Sequence, residues 1–145
     1  MIKHILYIHQ YFKTPEEPGG TRSYWIAKEL ISQGYKVTML TTSNSISDSI
    51  VRKKISGIDV IYLKVLYDQK MSVFLRFISF LKFMVLSTYH AYKIKNIDLV
   101  IATSTPLSVG FPAFFLNKIK KLPYIFEVRD LWPEVLFKWE QSKTS

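Results

Sequence analysis

The period of the apolar pattern changes repeatedly along this chain, and the changes come in a regular order. Ile2 to Ile8 is a short β-rich run that ends in the polar pair His9–Gln10, and a loop with Pro15, Pro18, Gly19 and Gly20 follows. Tyr24, Ile26, Ala27, Leu30 and Ile31 then recur at helical spacing up to Gly34, a residue suited to stop a helix. Tyr35 to Leu40 reads as a second strand, closed by the Thr/Ser/Asn cluster from Thr41 to Ser49. Gly57 to Val65 reads as a third, with Lys54–Ile55 as the arm of a short hairpin before it. Met71 to Ile94 is a long helix and Leu99 to Ala102 a buried type of strand. Pro106 to Lys121 is helical with an interruption at Gly110 and Pro112. Pro123 to Val128 is a last strand, and a last helix begins near Asp130.

Strands that alternate with helices, several of them apolar without a break, have few folds open to them. Both faces of such strands must be covered, which predicts an α/β domain: a doubly wound, mainly parallel sheet with helices on both sides. The 145 residues suffice for one such domain. In this class, ligands sit outside the carboxyl ends of the strands. The functional residues are therefore expected in four stretches: His9 to Arg22, Thr41 to Asn44, Thr103 to Pro106 and Arg129 to Glu134.

Composition removes several classes. The chain has no cysteine, which excludes a disulfide scaffold, a Cys-ligated zinc site and a thiol nucleophile. Its three histidines lack metal-ligand spacing, so no metal site is expected. Twenty basic residues against 11 acidic give +9, which favours an anionic partner: a phosphorylated substrate, an acidic lipid surface or nucleic acid. Nucleic acid is disfavoured, because many aromatics fall in core positions and no recognised binding motif appears. Met1 to Phe12 lacks the apolar stretch and cleavage site of a signal peptide. Arg76 and Lys82 break the Met71–Tyr92 stretch, and its longest uncharged piece is well short of the ~20 residues of a bilayer span. A cytoplasmic protein is expected, with association at the membrane surface left open.

Each candidate site has two readings. Gly19–Gly20–Thr21–Arg22 lies between a strand and a helix. There, glycines let the backbone approach an anion, the helix N-terminus adds positive potential, and Arg22 adds a charge. The other reading is a flexible turn with a surface arginine. His9 either contacts a substrate hydroxyl or proton, or holds the loop that follows it. Ser104 and Thr105 precede Pro106, a sound helix start that also lies on the expected ligand rim. Asp130 either caps the last helix or faces the cleft, where a carboxylate orients a sugar hydroxyl; Glu134 follows one turn later. An Arg–Asp or Arg–Glu pair fixing this loop is the alternative. The Met71–Tyr92 helix is apolar nearly all round. It reads as a core helix, as an interfacial helix on anionic lipid, or as a contact for another domain.

Four segments, in order, carry a family resemblance: Ile5 to Phe12, Pro15 to Tyr24, Ala102 to Gly110 and Phe126 to Glu134. Together they resemble the N-terminal, acceptor-side domain of family 4 glycosyltransferases, in the branch that builds bacterial O-antigen, capsule and exopolysaccharide. The likeness covers Ile2 to about Phe137, which sets a domain at 1–138 and a polar tail at 139–145.

The resemblance implies one half of a GT-B architecture, two Rossmann-like domains facing each other across a cleft. It implies retaining transfer from a nucleotide-sugar donor without a cofactor or an obligatory metal. Gly19, Gly20 and Arg22 would approach the donor diphosphate. Asp130 stands where several relatives have a histidine that contacts the transferred sugar, so sugar positioning is the role it inherits. His9, Ser104, Thr105 and Glu134 would face the acceptor, expected to be a polyprenyl-diphosphate-linked saccharide. The second, donor-binding domain of such enzymes has no counterpart in these residues. The expectation is negligible transfer by this polypeptide alone, with a separate donor domain as a partner. The competing expectation is a non-catalytic module on anionic membrane or beside such a domain.

Overall fold

The computed structural model describes residues 2–17, 19–44, 46–66, 70–103 and 110–128. Strand β1 (His4–Ile8) leads to helix α1 (Arg22–Ser32) and strand β2 (Lys36–Ser43). Strands β3 (Ile50–Ile55) and β4 (Ile58–Lys64) come next, then α2 (Val73–Lys93), β5 (Leu99–Thr103), α3 (Gly110–Lys120) and β6 (Tyr124–Glu127).

Local chemistry fixes the joints. After α1 the N–H of Gly34 reaches the carbonyl of Ile31 at 3.0 Å and that of Tyr35 reaches Leu30 at 3.1 Å. This is a Schellman stop, and Gly34 supplies its left-handed residue at φ 98°. Ser56 and Gly57, at φ 51° and 87°, turn β3 into β4. Positive φ at both central residues matches the right-handed twist of a two-residue hairpin. The Tyr24 hydroxyl, 2.8 Å from Ser56 Oγ, ties α1 to this turn. Ser72 caps α2 by accepting the N–H of Leu75 at 3.2 Å.

The six strands form one sheet in the order β3-β4-β2-β1-β5-β6, parallel throughout except for the antiparallel β3–β4 hairpin. On one face Tyr24 and Ala27 of α1 pack with Tyr7, Val37, Met39, Ile58 and Val60. On the other, Phe83 and Ala91 of α2 and Ala113 and Leu116 of α3 pack on Leu6, Ile8, Leu40, Ile61, Leu63, Val100 and Ala102. The odd and even residues of β1, β2, β4 and β5 thus go to opposite helix layers, as a doubly covered sheet requires. This is a mixed α/β fold compatible with the Rossmann-like class.

Several expectations change. β2 runs on through Ser43, and the arm before β4 is a full six-residue strand. Among the described residues α3 runs unbroken from Gly110 to Lys120, with no break at Pro112. Pro112 sits in the first turn of the described helix, where a proline N–H is not needed. Gly110 has a packing role, since a Cβ there would stand 3.0 Å from two ring carbons of Phe126. The last helix expected from Asp130 and the 139–145 tail lie outside the described residues.

Candidate functional site

β1 lies between β2 and β5. The chain leaves β1 through α1 on one face and leaves β5 toward α3 on the other. A strand order of this kind makes the carboxyl edge between β1 and β5 the topological switch point of an open α/β sheet. Ile8 pairs with Ala102, so His9, just past β1, follows that pair as Thr103, the last residue of β5, does on the neighbouring strand.

The loop after β1 is pinned at several points. The His9 N–H donates to the Leu40 carbonyl at 3.1 Å, and Nδ1 of His9 lies 2.7 Å from Ser23 Oγ. Both side chains are buried, so His9 ties the end of β1 to the start of α1. Of its two readings, this contact is the loop-holding one. The hydroxyls of Thr41 and Thr42 donate to the Gln10 carbonyl at 3.0 and 2.9 Å, and the Phe12 N–H donates to Thr41 Oγ1 at 3.3 Å. Further on, the N–H and hydroxyl of Thr14 both donate to Glu17 Oε1 at 3.1 Å.

This braced loop delivers Gly19 and Gly20 to the head of α1. Gly19 holds φ 123°, which L side chains rarely adopt, and a Cβ at Gly20 would meet nothing within 4 Å. Thr21 occupies the N-cap without a side-chain cap, and the first turn of α1 contains no acidic side chain. The leading N–H groups and the positive end of the helix dipole are therefore not neutralised by α1 itself.

Arg22 is engaged with a carboxylate. Its Nη2 donates to Glu127 Oε2 at 3.1 Å, joining the first residue of α1 to the last of β6. The Arg–Asp or Arg–Glu pair expected to fix the loop after β6 lies outside the described residues, and this pair to α1 was not anticipated. The Arg22 side chain is 56% exposed, and ion pairs this open contribute about 0–1 kcal/mol. An incoming anion could redirect the guanidinium at small cost.

Two polar groups at this edge escaped individual notice in the sequence. Gln10 is 1% exposed, and neither its amide oxygen nor its nitrogen has a partner among the described residues. Thr103 Oγ1 is in the same condition. Buried polar atoms are nearly always paired, so each is an unmet hydrogen-bonding group at this edge. The available signal was position alone: each is the polar residue at the tip of an apolar strand. Ser104, Thr105, Asp130 and Glu134 lie outside the described residues.

Several titratable groups elsewhere are perturbed. Burial and then Lys36 push the His4 imidazole below its usual range, and burial, Arg52 and Lys93 do the same to His90. Burial and then Glu17 raise the Tyr62 phenol. Asp98 is held low because its carboxylate accepts the N–H groups of Lys3 and His4, both at 2.9 Å.

The strand order and the two helix layers define a class, an open α/β domain with a topological switch point between β1 and β5. No family model and no curated protein matches the chain. Among solved structures it is similar to the C-terminal domain of a hydrogenase from Pyrococcus furiosus, with a TM-score of 0.62 and 17% identity over 87% of this chain and 91% of that one. A likeness at that identity concerns the fold alone.

Proposed function

We propose that this domain is the N-terminal, acceptor-side half of a retaining GT-B glycosyltransferase. It would take a sugar from a nucleotide-sugar donor and pass it to a lipid-linked saccharide in surface-polysaccharide synthesis. The observation that carries the reading is the uncapped head of α1, with Gly19 and Gly20 before it, at the carboxyl rim of the sheet. A diphosphate is an anion suited to such a helix start. In this reading Gly19 and Gly20 approach the donor diphosphate, and Arg22 turns to it from Glu127. His9 keeps the loop in place through Ser23. Asp130 positions the transferred sugar, with Ser104, Thr105 and Glu134 on the acceptor side. A second domain supplies most of the nucleotide pocket.

The test is transfer of labelled sugar from a panel of nucleotide hexoses into the organic-extractable lipid of membranes. With a separate donor domain present, membranes from cells producing the chain should gain label that Gly20→Asp removes, because a carboxylate there repels the diphosphate. Equal label with and without the chain, the donor domain being present in both, refutes the reading.

A second reading, a module at an anionic membrane surface, is favoured by α2. The residues α2 buries are Ser79, Phe83, Ser87 and Ala91, a stripe at four-residue spacing. Phe74, Phe77, Ile78, Leu81 and Val85 stay exposed on its other sides, with exposed Lys82 among them. By length and composition the 21-residue helix is sufficient to cross a bilayer. Its packing on the sheet instead favours lying along the headgroup boundary, with apolar rings inward and lysines on acidic lipid. Sedimentation with phosphatidylglycerol vesicles that Phe77→Asp abolishes supports this reading. Sedimentation indifferent to that change refutes it.

A further inference from the structure

At the amino edge of the sheet, away from the rim described above, a cavity of about 560 Å³ opens between the C-terminal end of α2 and strands β1 to β4. Its walls carry Lys36, Arg52, Lys54, Lys93 and Lys95, with Asp59 as the carboxylate among the lining residues. Asp59 lies 3.8 Å from Lys54. Among the described residues Lys36, Arg52, Lys93 and Lys95 form no ion pair. Lys93 rests 4.4 Å above the Tyr89 ring, and Lys53, also on the wall, 5.9 Å above Tyr62. His90 and the buried His4 complete the lining; His4 Nε2 is 2.7 Å from Thr38 Oγ1.

A helix C-terminus ordinarily opposes an anion. Here the Lys120 ammonium donates to the carbonyls of Tyr92 and Ile94 and offsets that end of α2. What remains is a concave surface with several unpaired cations from β2, β3 and α2 and two imidazoles able to add charge. Like charges held this close repel one another, and a ligand bearing more than one negative charge relieves the repulsion.

We propose that this cavity binds a multiply charged phosphorylated ligand, either a soluble diphosphate-bearing molecule or the headgroup of an anionic lipid. The assignment does not rest on the transferase reading. Both histidines are held below their usual range, His4 by burial and Lys36 and His90 by burial, Arg52 and Lys93. Asp59 and Asp98 act on His4 in the opposite sense. A bound anion reverses the cationic contribution, so binding takes up protons and strengthens as pH falls toward 6.

The probe is inorganic pyrophosphate, titrated calorimetrically into the 145-residue chain at physiological salt near pH 7.5 and near pH 6. Saturable one-to-one binding is expected, tighter at the lower pH once the protonation of pyrophosphate itself between the two pH values is allowed for. Removing two cations in Arg52→Gln/Lys95→Gln should weaken it about tenfold. Lys118→Gln/Lys121→Gln, which leaves the cavity walls intact, should not. In the wild-type chain the His90 ring resonances should titrate at higher pH with pyrophosphate present, a readout independent of any variant. Vesicles separate the sources. Sedimentation with phosphatidic acid vesicles, whose phosphomonoester can carry two charges, that needs Arg52 and is displaced by pyrophosphate identifies a headgroup, whereas Arg52-dependent pyrophosphate binding without it identifies a soluble ligand. Pyrophosphate binding that is non-saturable, or equally strong in both double variants, overturns the proposal.

Discussion

Phe83→Ala tests how α2 meets the sheet. Among the residues α2 buries, Phe83 is the one large apolar side chain, fully enclosed among Leu6, Ile8, Leu63 and their neighbours. Truncating an enclosed phenylalanine loses its transfer free energy and leaves a cavity, at about 3–5 kcal/mol. Ser79, Ser87 and Ala91 are too small to move in and fill the gap. Phe77, six residues earlier, is 56% exposed, so Phe77→Ala should change stability by no more than about 0.5 kcal/mol. With a urea dependence of about 2 kcal/mol per molar, the first variant should lower the unfolding midpoint by roughly 2 M and the second hardly at all. Equilibrium urea unfolding followed by circular dichroism measures both. Equal losses would mean that α2 is rotated about its axis, and the outward apolar face behind the membrane reading would disappear with it.

Other consequences are smaller. Gly34→Ala forces an L residue to φ 98° in the stop after α1 and should cost about 1 kcal/mol in the same unfolding assay. Arg22→Ala removes an exposed ion pair with Glu127 and should cost at most about 1 kcal/mol; a loss of several would make the pair a structural tie. His4 and His90 have folded-state pKa values below the unfolded value near 6.5. The unfolded chain therefore binds more protons in that window. The contribution of both histidines is fully present above about pH 6.5 and is lost as pH falls toward their folded values. Urea midpoints measured across this range should decline on acidification, and His90→Gln should flatten the decline.

The order of elements was legible because each rests on local chemistry. Gly34 ends α1, the apolar Leu99–Thr103 run makes a strand buried on both sides, and Ser56–Gly57 marks a turn. The strand order and the length of β3 were not. Both depend on pairing between distant residues, as when Lys53 of β3 faces Val60 of β4. The orientation of α2 was hidden for another reason. Its apolar residues cover nearly the whole circumference, so periodicity could not select the face, and the sheet took the stripe whose small residues permit close approach. At the rim, Gly19, Gly20, Arg22 and His9 were singled out by their position after a strand. The commitment of Arg22 to Glu127 and the enclosure of Gln10 come from contacts that the linear pattern does not encode.

Where an activated sugar meets this domain is read directly by backbone amide NMR of the labelled chain during titration with a nucleoside-diphosphate hexose. The largest saturable shifts are predicted at Gly19, Gly20, Thr21 and Arg22, at the head of α1. Shifts confined to Arg52, His90 and Lys93, with the glycine turn unmoved, would contradict it.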